Sequence, residues 1–406
     1  MPIVIYMLGL AVFAQGTSEF MLSGLIPEIA GDLGVSVPAA GTLTSAFAVG
    51  MIVGAPLMAV LSLRWPRRRA LLVFLVAFTL VHVAGALTAD FGVLLATRVV
   101  AALANAGFLA VGLATAAGLA GPAAKGRATA VLLGGVTLAC VAGVPAGAVL
   151  GQAWGWRAAF WAVAAVSAPA VLAILRSVPA APPDAAVPDA RRELRALRRP
   201  RLLVTLSLGA LVNGATFCAF TYLAPLVTDV GGFGPGWVPV FLALFGLGSF
   251  AGVTIGGRVS DERPMRLLVP GGLALAAGWL LLMATADAPA WVFALVFVQG
   301  ALSFAVGSTL ITRALYEAVE APSLGGSFAT AALNVGAAVG PVLGGAAIGA
   351  GLGYRSPLWV SALLVALAFA TAGAALAVRR RRSPAARDDS GDLRDLRASR
   401  GGESPS

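Results

Sequence analysis

The sequence predicts an all-α integral membrane protein whose twelve transmembrane helices form two pseudo-symmetric six-helix bundles. The prediction depends on the composition, on the number of long apolar runs, and on a likeness between the two halves of the chain. Of the 406 residues, 59% are hydrophobic and 11% are charged, and the mean hydropathy is +0.91. A water-soluble domain needs more polar residues than this to cover its outside, so a bilayer must surround most of the molecule.

Twelve apolar runs are each long enough to cross a bilayer core, which takes roughly 20 helical residues. The first run begins near the amino terminus and is followed by others, which indicates a signal-anchor helix rather than a cleaved signal peptide. The runs lie at 3–25, 41–62, 70–88, 92–116, 127–150, 158–178, 202–224, 237–257, 267–286, 291–312, 325–349 and 358–378.

The basic residues predict the orientation. If the amino terminus is cytoplasmic, all but three of the 28 Lys and Arg residues fall in cytoplasmic loops or the carboxyl-terminal tail. The exceptions are Arg157 and Arg355 in outer loops and Arg98 inside a helix. Positive charge marks the cytoplasmic side, so we expect both termini inside a bacterial plasma membrane. The basic loops are then a topology signal that contacts membrane lipids, and we expect no nucleic-acid binding.

Residues 179–200 form the longest interior polar stretch, first proline-rich and then arginine-rich. We expect a flexible cytoplasmic linker that contains a short basic amphipathic helix. The linker separates an amino-terminal bundle at 1–178 from a carboxyl-terminal bundle at 201–380. The polar segment 381–406 is expected to be a disordered cytoplasmic tail.

Similar features recur at matching places in the two halves. GVPAGAVLG (143–151) in the fifth helix corresponds to VGPVLGG (339–345) in the eleventh, and RWPRRR (64–69) corresponds to GRVSDERPMR (257–266). The first and seventh helices end near Pro27 and Pro225. These pairs predict an internal repeat, which suits two bundles that rock about a central site.

Three motifs are typical of one family. They are GTSEFMLSGLIPEIAGDLGVS (16–36), Arg98 in RVVAALANAGF (98–108), and GGVTLACVAGVPAGAVLG (134–151) followed by GWRAAF (155–160). In these, over residues 1–380, the chain resembles the twelve-helix drug:proton antiporters of the major facilitator superfamily. TLTSAFAVGMIVGAPL (42–57) and FVQGALSFAVGSTLITRALYE (297–317) resemble actinobacterial chloramphenicol-resistance exporters most.

The resemblance implies a major facilitator fold and the export of a small amphipathic drug, foremost chloramphenicol. It implies protons as the coupling ion and no other cofactor. We expect a monomer. The alternatives are an exporter of sugars, nucleosides or another metabolite or drug, and an energy-independent facilitator. A membrane enzyme or sensor is not favoured, because we find no catalytic constellation in the sequence and no cluster of metal-ligating residues.

Glu19 lies inside an apolar helix, where a carboxylate costs of order 2.5–3.5 kcal/mol and usually faces a wet cavity. Helical spacing places Gln15 on the same partly polar face. We expect Glu19 to carry the proton. The alternatives are that Glu19 only caps or pairs structurally near the outer interface, or that Glu28 or Asp32 carries the proton.

Arg98 is a second charged residue within an apolar run, and a buried guanidinium needs carboxylate or carbonyl partners. By resemblance it is the proton-relay arginine, and direct pairing with Glu19 is a hypothesis. The alternative is that Arg98 only fixes the fourth helix to its neighbours. The family often has Gln three residues later, where this chain has Ala101.

Conformational roles are implied for two further groups. Gly143, Pro145 and Gly147 predict a bend and close packing in the fifth helix, and by resemblance they mark an antiporter. By resemblance, Asp261 with Arg263 forms a charge latch between bundles, although a solvated topology signal is the alternative. The latch of the first half departs from the family pattern, since Leu63 takes the place of its Asp.

A drug cavity needs apolar walls with a few polar contacts. Besides Gln15, the candidate lining residues are Asn105, Phe108, Asn213, Phe217, Gln299 and Asn334, with Tyr222 and Phe304 as further aromatics. Any single aromatic residue can equally face lipid or the bundle core. The amides of Asn213 and Asn334 are the stronger candidates, because amides in an apolar medium need partners.

Overall fold

A computed structural model describes residues 2–62, 65–120, 124–179, 195–259, 264–318 and 325–381, and the regular structure within these ranges is entirely helical. Twelve of its helical segments are long and apolar enough to cross a membrane. The predicted all-α membrane architecture is therefore confirmed. We number these segments as spans 1 to 12 and call spans 1–6 the first half and spans 7–12 the second half.

The first half begins with span 1, which continues beyond its α-helix as a short 3₁₀ segment, Met21–Gly24. A helix that the sequence analysis did not predict, Ile26–Leu33, connects it to span 2. The α-helices of the six spans are Ile3–Phe20, Val37–Ser62, Arg67–Leu87, Phe91–Ala120, the pair Lys125–Leu138 and Val144–Trp154 joined by a π-helix, and Trp156–Ser177.

The second half follows a 3₁₀ turn at Arg195–Arg198, whose Ala196 is buried beside Leu202. Its spans are Pro200–Thr221, Val238–Val259, Met265–Ala284, Pro289–Glu317, Gly325–Ala347 and Ser356–Arg381. Residues 180–194 of the predicted linker and 382–406 of the predicted tail lie outside the described residues, as do both residues of the predicted latch, Asp261 and Arg263.

The packing repeats between the halves. Spans 2 and 4 approach closely because Gly50 has no Cβ, which would otherwise clash with the Val99 backbone. Spans 8 and 10 approach in the same way, with Gly252 against the Ala301 backbone. Spans 1 and 5 pair closely, as do spans 7 and 11. The halves meet where span 2 packs on span 11 and span 5 on span 8. Each of these contacts has its counterpart in the other half, as an internal repeat requires.

The halves touch at the end of the molecule opposite the termini, which we call the far end. There Gly24 fits between Ala148 of span 5 and Leu242 of span 8. The Gln152 amide donates to the Pro235 carbonyl oxygen at 2.7 Å. On the other side of the bundle, Gly41 of span 2 abuts the Tyr222 ring, and Gly345 of span 11 abuts Tyr222 and Pro38 of span 2. The far end is therefore sealed on both sides of the interface.

Candidate functional site

Arg98 is fully buried in span 4 and is held by a single residue of span 1. Its Nη1 donates to the Ser18 hydroxyl at 2.8 Å, and its Nη2 donates to the Ser18 carbonyl oxygen at 2.6 Å. The guanidinium also lies over the Phe47 ring, 4.7 Å from its centroid. Carbonyl and hydroxyl oxygens thus supply partners for the two Nη groups of the buried guanidinium, while its Nε is buried without a partner among the described residues.

No ion pair joins Arg98 to Glu19 within 4 Å in the described part of the chain. The hypothesis of direct pairing is therefore not supported by this conformation, because Ser18 takes both Nη groups. The two charges are nonetheless close enough to act on each other electrostatically.

Glu19 occupies the last turn of the span 1 helix and is half-buried. Within the described ranges its carboxylate has no hydrogen-bond partner. Its charge acts on the Cys140 thiol of span 5 as well as on Arg98. A carboxylate without a fixed partner can bind or release a proton without breaking another hydrogen bond.

An apolar pocket lies between the halves, and one of its lining residues is Phe20, which follows Glu19 in span 1. In this conformation the pocket is narrow and partly open to its surroundings. The Phe20 and Phe217 rings form one wall, 5.7 Å apart across the interface, and the Phe220 and Phe245 rings lie 4.6 Å apart in the second half. The lining is completed by Cys140, Thr216, Gly246, Ser249 and Phe304. Cys140 links this pocket to the electrostatic surroundings of Glu19.

Two of the candidate cavity aromatics, Phe217 and Phe304, line this pocket, whereas the amides do not. Asn213 donates to the Leu333 carbonyl oxygen at 2.8 Å and so ties span 7 to span 11. Asn334 donates to the Thr330 carbonyl oxygen of its own helix at 3.0 Å. Tyr222 lies at the far end, where its hydroxyl donates to the Pro341 carbonyl oxygen at 2.8 Å.

The candidates in the first half are buried within that half. Gln15 is 1% exposed, and neither its amide nitrogen nor its amide oxygen has a partner. Asn105 makes one long contact, 3.7 Å to the Met51 sulfur. Phe108 belongs to the apolar core formed by spans 1, 3, 4, 5 and 6. None of the three lines the pocket between the halves in this conformation.

Gln299 is fully buried inside the second half, where its Nε2 donates to the Leu275 carbonyl oxygen at 3.0 Å. Its amide oxygen lacks a partner, as does the indole nitrogen of Trp279, and both residues line a second, smaller pocket. That pocket shares Phe220 and Phe245 with the first. Gln299 therefore lies beside the central pocket without reaching it.

The fifth span, in which a bend was predicted, contains a π-helical turn. Ala139–Gly143 is a π-helix, and Pro145, which has no backbone N–H, follows it at the start of the next α-helical segment. Gly143 packs directly on Thr17 of span 1, and a Cβ on Gly147 would lie 3.3 Å from the Met21 Cβ. The irregular turn therefore lies against span 1, beside the turn that carries Ser18 and Glu19.

The other two carboxyl groups considered for the proton lie outside the spans, in the helix Ile26–Leu33. The Arg157 guanidinium and the Trp156 N–H donate to Asp32 and lower the pKa of its carboxyl group, which keeps Asp32 ionised. Burial raises the pKa of Glu28, one of whose oxygens is buried without a partner. Both residues are at the far end, whereas Glu19 lies beside the pocket.

Sequence reasoning missed Ser18, His82 and most of the pocket lining. His82 Nε2 lies 2.6 Å from the Ser18 hydroxyl, which also accepts from Arg98. Spans 3, 1 and 4 are thus joined by a buried series of hydrogen bonds. A histidine inside an apolar run was an available signal, since ionisable residues within membranes are usually functional. The hydrogen bond between Ser18 and His82, which are 64 residues apart in sequence, cannot be predicted from hydropathy.

Comparisons with known proteins agree with this architecture. A family model described as Major Facilitator Superfamily matches residues 8–327. A chloramphenicol resistance protein of Streptomyces lividans is 59% identical over 92% of this chain and 96% of its own length. The inner membrane transport protein YdhP of Escherichia coli K12 is 36% identical over 89% of this chain and 92% of its own.

Among solved structures, a bacterial homologue of the human lysosomal transporter Spinster superposes with a TM-score of 0.69. The alignment covers 91% of this chain and 95% of that one, at 17% sequence identity. This similarity supports the shared fold.

Proposed function

Because the chain belongs to the major facilitator superfamily, we propose that it exports chloramphenicol, or a close chemical relative, in exchange for protons and thereby confers resistance. The 59% identity to a Streptomyces chloramphenicol resistance protein supports the substrate. The observation that carries the mechanism is the apolar pocket between the halves with the half-buried Glu19 beside it.

The pocket suits an amphipathic, uncharged molecule. Phe20, Phe217 and Phe220 offer aromatic faces. Thr216 and Ser249 also line the pocket, where their hydroxyls donate to backbone carbonyl oxygens of their own helices. Apolar walls with a few polar groups are typical of small-molecule sites. A compound with an aromatic ring and several hydroxyl and amide groups fits this chemistry, and the protein moves it without changing it covalently.

In the proposed cycle, drug enters from the side of the termini while the far end is sealed. The halves then rock, the far end opens, and the drug leaves. A proton from outside binds Glu19 as the drug departs, and protonation permits the return. Arg98 acts as the electrostatic partner of Glu19, and the irregular turn before Pro145 supports the change in packing between spans 1 and 5.

We further propose that the protein is a monomer in the bacterial plasma membrane with both termini in the cytoplasm. The distribution of basic residues supports this orientation, and the inner-membrane relative from Escherichia coli supports the compartment. Basic side chains at the cytoplasmic ends of the spans contact anionic lipids.

The test is the accumulation of chloramphenicol in an efflux-deficient bacterial host that expresses the wild type, Glu19→Gln or Glu28→Gln. We expect low accumulation in the wild type, a rise when a protonophore collapses the proton gradient, and an equally high level in Glu19→Gln. Glu28→Gln should retain export, because Glu28 lies at the far end and away from the pocket.

Each other outcome changes one part of the proposal. Unchanged accumulation on expressing well-folded wild type removes chloramphenicol, and a panel of other antibiotics, sugars and nucleosides then identifies the substrate. Export that ignores the protonophore indicates a facilitator. Export retained in Glu19→Gln but lost in Glu28→Gln moves the proton to Glu28.

A further inference from the structure

His82 is the single histidine of the chain, and its ring is buried in span 3 with 1% exposure. Its Nδ1 lies 2.7 Å from the Phe78 carbonyl oxygen. Because a carbonyl oxygen only accepts hydrogen bonds, Nδ1 must carry a proton. In the neutral ring Nε2 is then an acceptor, and it takes its hydrogen bond from the Ser18 hydroxyl at 2.6 Å.

This assignment determines which group donates and which accepts in each hydrogen bond that links His82, Ser18 and Arg98. Since the hydroxyl proton of Ser18 points at His82, its lone pairs are left for the Arg98 Nη1–H, 2.8 Å away. Nη2 donates to the carbonyl oxygen of the same residue. Two contacts to one residue define the plane of the guanidinium, and His82 determines one of the two.

We propose that His82 is a positioning residue of the proton-exchange site: through the Ser18 hydroxyl it holds the Arg98 guanidinium beside Glu19 but out of an ion pair with it. This inference rests on the proposed role of Glu19 as the proton carrier.

The consequence concerns Glu19. An Arg98 side chain free to turn would pair with the neighbouring carboxylate, because an unpaired buried charge gains strongly from such a contact. Held on Ser18, it leaves the Glu19 carboxylate without a hydrogen-bond partner among the described residues and half-buried beside the pocket. Arg98 then acts on Glu19 through space without a direct contact to its carboxylate oxygens.

Among the residues that the structure describes, few other charges surround His82. Span 1 contributes Ser18 with Glu19 next to it, span 4 contributes Arg98, and span 6 contributes the Phe160 ring, 5.7 Å from the imidazole. Arg98 is the charged group that acts on the imidazole electrostatically. A pH dependence that changes with His82 therefore reports on the Glu19 and Arg98 pair.

The experiment uses purified full-length protein in detergent. It measures protons released or taken up when chloramphenicol binds, as a function of pH, together with chloramphenicol affinity and thermal stability. His82→Leu removes the acceptor, and Ser18→Ala removes the link from its other end. His82→Gln is the matched control, since Gln is close to Leu in size but offers an acceptor oxygen to Ser18.

We expect His82→Leu and Ser18→Ala to move the midpoint of proton exchange to lower pH by about one unit, because Arg98 pairs with the Glu19 carboxylate and favours its charged form. His82→Gln should return the midpoint close to that of the wild type. Loss of packing alone would lower thermal stability in the Leu variant but would not move the midpoint in both the Leu and the Ala variants.

A wild-type midpoint in both His82→Leu and Ser18→Ala overturns the inference. If His82→Leu does not fold, Ser18→Ala alone decides, because it leaves the carbonyl contact and the histidine in place. A wild-type protein that binds chloramphenicol without exchanging protons removes the proposed function and this inference with it, whereas normal exchange in every variant removes the inference alone.

Discussion

At the scale of single residues, Asp32 and Arg157 connect three elements at the far end. Asp32 accepts hydrogen bonds from Arg157 and from Trp156, while Arg157 also donates to the Thr88 carbonyl oxygen at 3.0 Å and lies over the Trp156 ring. The arginine lowers the pKa of Asp32 from its ordinary value of 3.8. Stability from this ionised group is complete above pH 3.8 and is lost as the pH falls through the lower, folded-state pKa.

We predict that Asp32→Asn lowers the unfolding temperature at pH 7 by a small amount, since a pair this exposed contributes no more than about 1 kcal/mol. The difference from the wild type should vanish at the lowest pH the protein tolerates, where Asp32 is protonated. Arg157→Ala should lower the unfolding temperature further and should still lower it at that low pH, because the contact of Arg157 with the Thr88 carbonyl oxygen does not depend on the ionisation of Asp32. Intrinsic tryptophan fluorescence recorded on heating measures both, because it can be followed at low pH, where a thiol-reactive dye would not react. An Asp32→Asn deficit that is independent of pH would contradict the assignment.

At the scale of elements, the contact between spans 1 and 5 depends on Gly143. A Cβ at this position would overlap the Thr17 hydroxyl, which itself donates to the Phe13 carbonyl oxygen at 2.8 Å. We predict that Gly143→Ala reduces chloramphenicol export severalfold, because overpacking of this kind costs about 1–3 kcal/mol. Folded yield and drug accumulation should be measured together.

Two further variants act as controls for Gly143→Ala, one on span 5 and one on the facing span 1. Gly134 faces open space, so Gly134→Ala should leave export unchanged. Removing the obstructing hydroxyl with Thr17→Ala should recover part of the export lost in Gly143→Ala. If Gly143→Ala and Gly134→Ala behave alike, close approach to Thr17 does not limit transport.

The element scale also explains which parts of the structure the sequence could predict. Twelve spans follow from hydropathy, because a bilayer imposes a minimum apolar length on every helix. Hydropathy does not predict polar residues at the end of a membrane helix. The tenth span was predicted to end at 312 but continues to Glu317. There Arg313 pairs with Glu317 at 3.3 Å, and the Thr205 hydroxyl donates to the same carboxylate at 2.6 Å. These contacts satisfy charges that hydropathy alone counts against a helix.

The candidate site was predicted less completely. Glu19 and Arg98 stand out because a charge in an apolar run is costly and therefore noticeable. Ser18 does not stand out, since a serine in a membrane helix usually bonds to its own backbone. Which helix faces reach Ser18 depends on tertiary packing between spans 1, 3 and 4, and the spacing along any one helix does not contain that information.

At the scale of the whole molecule, the far end must open for the drug to leave, so its contacts between the halves must be strong enough to form and weak enough to break. Gly345 of span 11 fits against Pro38 of span 2 and the Tyr222 hydroxyl. We predict that Gly345→Val prevents this closure and favours the state open at the far end, because a side chain there has no space between the halves. Gly349→Val is the matched control: Gly349 lies in the π-helix Ile348–Leu352 that continues span 11, and it faces open space.

The measurement uses Ala148→Cys, at a position buried between the halves at the far end, in a background where Cys140 and Cys218 are replaced by alanine. A membrane-impermeant thiol reagent applied to open membrane sheets should label this cysteine slowly in the parent and in Gly349→Val. Labelling should be several times faster in Gly345→Val, and export should fall, because a transporter held open on one side does not alternate. Equal labelling in all three proteins would mean that the Gly345 contact does not help to seal the far end. Fast labelling with full export would mean that this seal is not required for the cycle.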